Sequence, residues 1–134
     1  MAPGIAQIAR NYTERGELLQ AQFHAWRSFR HGYRRWVIAV TNRRLIAIRC
    51  TFWRLNDGGL MWADPVDEVA LRRGRALRRN GYAVFRNIKR FDTGNVYVQV
   101  RRATGRRATV VFYGEIDEGV RNAETMYALI PSRF

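Results

Sequence analysis

Residues 36–50, WVIAVTNRRLIAIRC, decide the fold class that the sequence predicts. Apolar side chains alternate on both sides of the polar pair Thr41-Asn42, as in two strands joined by a turn. Asn tolerates a positive φ in a tight reversal, so this pair is expected to form the turn of a β-hairpin. Apolar residues point to both sides of each strand, which indicates strands that are partly or wholly buried.

The same alternation extends outward from the hairpin. Gly- and Asn-containing turns at 56–59, 92–95 and 103–105 separate the later strands, and Pro65 restricts its strand to an edge or a bend. The basic run Arg72–Asn80 is expected to be a connector. About seven strands are predicted: Leu18–Trp26, Trp36–Val40, Ile46–Leu55, Leu60–Leu71, Tyr82–Ile88, Val96–Val100 and Ala108–Tyr113.

Helical spacing appears near both ends of the sequence. Apolar residues in Gly4–Arg15 predict a short amphipathic helix that stops at Gly16. From Glu115 onward an apolar stripe predicts a second helix that Pro131 ends. With 134 residues and 47% hydrophobic residues, residues 1–134 are expected to form one domain, with a core at about 16–130 and a helical lead-in at 1–15.

This layout resembles the bacterial pleckstrin-homology-like (PH-like) domains. WVIAVTNRRLIAI is similar to their second and third strands, the proline-containing segment Asp64–Val69 to their fourth, and Gly16–Leu19 to their first. The resemblance covers about residues 16–130. It implies a mainly β (α+β) fold, a bent antiparallel barrel of about seven strands capped by the C-terminal helix, and it implies a binding module.

The charge of the sequence points to an anionic partner. The formal net charge is +13, from 24 Lys+Arg against 11 Asp+Glu, and Lys89 is the single lysine. Two interpretations fit the use of Arg in place of Lys: codon bias of a GC-rich genome, or an anionic partner that the planar guanidinium matches. Codon bias does not explain the shortage of acids. Residues 72–107 hold twelve basic residues and one acid, whereas 114–130 hold four acids and one Arg. The molecule is therefore expected to be electrically polar.

The resemblance also implies where an anion would bind, because the first and last hairpin loops of PH-like folds lie at the same open end of the barrel. The predicted anion-binding set is Arg27, Arg30, Arg34 and Arg35 in the first loop with Arg102, Arg106 and Arg107 in the last hairpin. A separate, secondary basic patch is predicted at Arg72, Arg73, Arg75, Arg78 and Arg79.

Three kinds of anionic partner fit these charges. An acidic protein or an anionic membrane surface leads, because PH-like folds add peptides at sheet edges and basic patches meet lipid headgroups. The alternative is sequence-independent binding of DNA or RNA through phosphate contacts. Bases would then stack on aromatic rings, although most of these are expected in the core. The aromatic candidates are Trp53, Tyr82, Phe85 and Tyr97.

No enzyme activity, metal or cofactor is predicted. His24 and His31 lack partners at metal-ligand spacing, and no phosphate-binding loop or nucleophile motif occurs. The acids Asp64, Asp67 and Glu68 are expected to be counter-charges or turn residues, and Cys50 a buried, inert thiol. The sequence shows neither a signal peptide nor an apolar run long enough to cross a bilayer, so a cytoplasmic or peripheral membrane location is expected.

Overall fold

The computed structural model describes residues 5–29, 32–50, 57–79 and 93–134. These residues form seven antiparallel strands, a short N-terminal helix and a longer C-terminal helix. The elements are α1 (Ile5–Arg10), β1 (Leu19–Phe29), β2 (Gly32–Thr41), β3 (Arg44–Cys50), β4 (Asp57–Pro65), a 3₁₀ turn (Val66–Glu68), β5 (Ala70–Arg79), β6 (Thr93–Arg101), β7 (Arg107–Glu115) and α2 (Ile116–Leu129).

The strands form one curled sheet in the order β4-β3-β2-β1-β7-β6-β5, which has the shape of a half-barrel. The main core lies inside the curl, where α2 packs against the inner side of β6 and β7. At Gly119 a Cβ atom would lie 3.0 Å from Val96 Cγ2, so a small residue there lets α2 approach closely. A second core lies outside the sheet, where α1 covers β2 and β3. The predicted mainly β layout is confirmed.

The hairpin at residues 36–50 is confirmed, but its turn works differently from the prediction. Asn42 does not have a positive φ. Instead its side-chain oxygen accepts a hydrogen bond from the Leu18 main-chain N–H at 2.9 Å. The Thr41 hydroxyl accepts the main-chain N–H groups of Arg43 and Arg44. Side-chain acceptors close this turn, which is the reason these residue types favour turns over strand interiors.

The first hairpin is longer than predicted. β1 continues to Phe29 and β2 begins at Gly32, so Arg27, Arg34 and Arg35 lie in strands and not in a loop. Trp26 pairs with Arg35, and Arg27 pairs directly with Arg34. Polar residues did not end these strands, because an antiparallel ladder is formed by main-chain hydrogen bonds, which arginine can make as well as an apolar residue.

The predicted connector Arg72–Asn80 is also wrong. It forms β5, which pairs with β6 from Ala70 to Arg79. The single strand predicted over Leu60–Leu71 instead ends at Pro65, because proline lacks the N–H that would continue the ladder. The predicted strand Tyr82–Ile88 and the segment 51–56 lie outside the described residues.

The N-terminal helix is shorter than predicted, and the C-terminal helix agrees with the prediction. α1 ends at Arg10, well before Gly16, whereas α2 begins and ends within one residue of the predicted limits. The guanidinium of Arg133 donates to the main-chain oxygens of Tyr127 at 2.7 Å and Ile130 at 2.5 Å, so it satisfies the exposed carbonyls at the end of α2. Among the described residues, neither helix has the length and apolar character needed to cross a membrane.

Candidate anion-binding site

The outer face of β5, β6 and β7 carries the side chains that do not enter the core. Val96, Val98 and Val100 of β6 are buried inside the curl. Because successive residues of a strand point to opposite faces, Tyr97, Gln99 and Arg101 lie outside. Their cross-strand partners on β7 are Val111, Thr109 and Arg107. The outer face therefore combines basic, polar and aromatic groups.

Three arginines on this face surround one aromatic ring. The guanidinium carbon of Arg72 lies 4.5 Å from the centre of the Phe134 ring, that of Arg101 at 5.2 Å and that of Arg107 at 5.3 Å. We call Arg72, Arg101 and Arg107 with Phe134 the arginine cluster. All three arginines are exposed. Each guanidinium gains a favourable contact with the ring, and the three charges are held close together.

No Asp or Glu side chain within the ranges that the structure covers forms an ion pair with the arginine cluster. The ion pairs found there involve Arg44, Arg73 and Arg102, and none involves a member of the cluster. Arg101 and Arg107 are direct cross-strand partners, an arrangement of like charges that destabilises a sheet. The Cβ atoms of directly opposed strand residues lie about 5 Å apart, which is less than the screening length of about 8 Å at physiological ionic strength. A bound anion would relieve the repulsion between the two arginines.

The residues after α2 place the Phe134 ring. Leu71 donates its N–H to the Ser132 carbonyl at 2.9 Å, and Phe134 donates its N–H to the Leu71 carbonyl at 3.2 Å. These bonds hold residues 132–134 beside the start of β5. The Nε–H of Arg72 also donates to the main-chain oxygen of Phe134 at 3.2 Å. The ring is thus fixed by main-chain bonds, and the arginines gather around it.

Arg102, a member of the predicted anion-binding set, is occupied by an internal ion pair. Its Nε and Nη2 donate to the two carboxylate oxygens of Asp64 at 3.0 and 3.2 Å, and Asp64 is buried. The guanidinium also stacks on the Trp62 ring at 4.7 Å. Asp64 is therefore a counter-charge, as expected. This contact fastens the β6–β7 turn to β4, and it makes Arg102 a structural residue.

Arg73, from the predicted secondary patch, is also paired. It donates to the carboxylate of Glu124 on α2, and its guanidinium lies 4.5 Å from the Tyr127 ring. Arg73 and Arg72 are neighbours in sequence but point to opposite faces of β5. One joins the sheet to α2, whereas the other belongs to the arginine cluster.

The hairpin turn at residues 41–44 holds a third internal pair. Arg44 donates from Nε and Nη2 to both oxygens of Glu17, at 2.9 and 2.7 Å, and the Thr41 hydroxyl donates to the same carboxylate at 2.6 Å. The hydrogen bonds from Arg44 lower the pKa of Glu17 from 4.5 to about 2, in spite of burial, which acts to raise it. Arg44, which the sequence placed beside the turn, therefore stabilises it.

The rest of the predicted residues divide between exposed positions and positions whose side chains the structure leaves undescribed. Arg75 and Arg106 are exposed, and Arg35 is half-buried over the Trp26 ring at 4.7 Å. Arg27, Arg34, Arg78 and Arg79 are placed in strands by their main chains, whereas Arg30 lies outside the described residues. The predicted convergence of the first and last loops stays a prediction.

Arg101 was absent from both predicted sets, and its position opposite Arg107 was the signal that could have found it.

Aromatic side chains lie on the same outer face, beyond the arginine cluster. Trp26 of β1 and Tyr97 of β6 both pair with Val111 of β7, so the two rings flank it. The Tyr113 ring meets the Trp26 ring edge to face at 6.4 Å, and Tyr113 is 62% exposed. We call Trp26, Tyr97 and Tyr113 the aromatic patch. Tyr97 was expected in the core with most other aromatics, but strand alternation places it outside.

A shallow cavity lies between these two groups. It has a volume of about 560 Å³ and is lined by Arg73, Gly74, Arg75, Tyr97, Gln99 and Thr109. The pairing of β5 with β6 shifts between Arg73 and Ala76. At Gly74 a Cβ atom would collide with the main chain of Tyr97, so glycine is required for the close approach of the two strands.

The described residues that were considered for metal binding or catalysis lie on elements other than β5, β6 and β7. Among the described residues, no three His, Cys, Asp or Glu side chains gather as metal ligands would. His24 is half-buried, and this desolvation lowers its pKa. Burial likewise raises the pKa of the Cys50 thiol to about 11, which fits an inert thiol. His31 lies outside the described residues, and Asp67 and Glu68 form the 3₁₀ turn.

The comparisons with known proteins assign no family. No family model matches the sequence, and no curated protein matches it either. Among solved structures, the chain is similar to the crystal structure of the C-terminal domain of an unknown protein from Leishmania infantum. The TM-score is 0.48 with 10% identity, over 84% of this chain and 86% of that chain. We draw no functional argument from a likeness at this level.

Proposed function

We propose that the protein is a non-catalytic binding module with a PH-like fold, and that it holds a polyanionic partner on the outer face of β5, β6 and β7. The observation that carries the proposal is the arginine cluster, in which three guanidiniums share one ring. A planar guanidinium matches phosphate and carboxylate groups, and its charge persists at any physiological pH. Arginine does not exchange protons near neutral pH. Such a cluster is therefore suited to holding an anion and not to acid–base catalysis.

The partner would be recognised through several phosphate or carboxylate groups and not through a single small anion. The net charge of +13 adds long-range attraction. An acidic protein, an anionic membrane surface and a nucleic acid all offer such groups. The internal pairs of Arg73 and Arg102 remove these two residues from the proposed contact surface.

The test compares two triple variants of equal charge. R72Q/R101Q/R107Q neutralises the arginine cluster. R10Q/R15Q/R121Q is the matched control, because it removes the same charge from three exposed arginines elsewhere. Binding to heparin, to anionic vesicles and to random-sequence oligonucleotides is measured over a series of salt concentrations.

The expected result is loss of affinity and a shallower salt dependence in the cluster variant alone. For a single-stranded polyanion the slope should fall by roughly 0.7 per phosphate contact removed. Equal losses in both variants would mean that net charge, and not the cluster, drives binding. That result would overturn the proposal.

A further inference from the structure

We propose that the polyanion is a single-stranded nucleic acid, laid along the outer face from the arginine cluster to the aromatic patch. This inference rests on the proposed function, since it names the partner of the same face. It also requires aromatic rings on which bases can stack, and the arginine cluster does not offer them to a ligand. The aromatic patch provides these rings.

The two groups lie along the same strands. Arg101 and Tyr97 are four residues apart on the outer side of β6, which is about 13 Å at the rise of a strand. Arg107 and Tyr113 are six residues apart on the outer side of β7, or roughly 20 Å. An extended chain that followed these strands would meet guanidiniums first and aromatic rings afterward.

On β6 and β7, the outward groups between the cluster and the patch are polar and neutral. Gln99 and Thr109 form the cross-strand pair next to Arg101 and Arg107, and Gln99 also pairs with Arg72. Both side chains line the cavity of about 560 Å³ together with Tyr97. Amide and hydroxyl groups can donate to and accept from base edges. Along the strands, the face thus presents guanidiniums first, then hydrogen-bonding groups and then aromatic rings.

A single-stranded nucleic acid has the matching three features: phosphates, polar base edges and base faces free to stack. An acidic peptide would match the arginines but gains little from the rings. A duplex keeps its bases stacked inside, so it could use the arginine cluster and not the aromatic patch. Tyr113 is 62% exposed, so a base can reach its side chain.

The experiment follows fluorescence anisotropy of three labelled probes: an oligothymidylate, a duplex of the same length and polyglutamate of matched charge. The protein variants are Y113L, which removes the ring but keeps an apolar side chain, and Y113F, which keeps the ring. L60A is the control, because Leu60 is a similarly exposed apolar residue on β4. All of these positions are exposed enough for the folded state to be retained.

We expect the oligothymidylate to bind more tightly than the duplex or polyglutamate. Y113L should weaken this binding about fivefold or more, which corresponds to the loss of one stacked base. Y113F and L60A should bind like the wild type, and polyglutamate binding should not respond to Y113L.

Two other outcomes separate the failure of this inference from the failure of the proposed function. If Y113L binds the oligothymidylate like the wild type while R72Q/R101Q/R107Q still loses affinity, the nucleic-acid inference is overturned and the anion site stands. Tighter binding to polyglutamate or to anionic vesicles than to the oligothymidylate also overturns the inference. If the cluster variant keeps full affinity for every probe, both proposals are wrong.

Discussion

At the scale of single residues, the described arginines divide by whether an Asp or Glu side chain lies within reach. Arg44, Arg73 and Arg102 each donate two hydrogen bonds to one carboxylate and hold distant parts of the chain together. In the arginine cluster the guanidiniums instead lie over the Phe134 ring, and Arg72 also donates to the main-chain oxygen of Phe134. The sequence could not predict this division. Asp64 and Arg102 are 38 positions apart, and only the curl of the sheet brings them together.

The internal role of Arg102 predicts a loss of stability. R102A would leave the buried Asp64 carboxylate without its partner, which costs about 3 kcal/mol in the free energy of unfolding. R106A changes an exposed arginine in the same turn and should stay within about 0.5 kcal/mol of the wild type. Urea unfolding of both variants measures the difference. Equal stability of R102A and R106A would show that the pair with Asp64 does not hold the turn.

Glu17 predicts a specific acid dependence. Its pKa is lowered from 4.5 to about 2 in the folded protein, so the unfolded state takes up its proton first as the pH falls. The stabilisation from this group is therefore complete above pH 4.5 and is lost toward pH 2. The loss amounts to roughly 3 kcal/mol. Thermal unfolding across this pH range checks it.

E17Q removes the titrating group and is the variant that isolates this effect. We expect E17Q to be less stable than the wild type at neutral pH and to lose less stability between pH 4.5 and 2. E118Q changes an exposed acid on α2 and should retain the wild-type slope. If E17Q and the wild type lose stability in parallel, the pair with Arg44 is not the source of the acid dependence.

At the scale of elements, alternation predicted the strands that contribute to the core and failed where the sequence is basic. β2, β3, β6 and β7 were all found, because their inward residues are apolar. β5 was missed, since after Leu71 its pattern is dominated by arginine. Its edge position and its outer face allow charges that a central strand would not. The irregular pairing at Gly74 further breaks the period of two.

The close approach at Gly74 makes β5 sensitive to one methyl group. G74A would place a Cβ against the main chain of Tyr97, and the strands would have to separate locally. We expect a loss of about 1 to 3 kcal/mol in the free energy of unfolding. R75A, at the adjacent exposed position, should stay within about 0.5 kcal/mol. Chemical denaturation of the two variants tests this, and wild-type stability of G74A would show that the close approach of the strands does not require glycine at position 74.

At the scale of the whole molecule, the sequence correctly predicted a mainly β chain with a helix after the last strand. The count of charges along the sequence showed where arginines are concentrated in the chain. It did not show which of them lie together in the folded protein. Its two predicted sets each mix members of the cluster with structural residues, because neighbours on a strand point to opposite faces. Arg72 and Arg107 came from different sets, and the order β7-β6-β5 together with Phe134 brings them to one place.

The measurement that tests the central claim most directly is an NMR titration of the arginine side chains. The Nε–Hε signals of ¹⁵N-labelled protein are followed while a short heparin oligosaccharide is added, and Arg→Gln variants assign them. The account predicts that the signals of Arg72, Arg101 and Arg107 move first and furthest, whereas that of Arg102, already paired with Asp64, stays nearly fixed. Equal shifts across all exposed arginines, with Arg10 and Arg15 moving as far as the cluster, would contradict it.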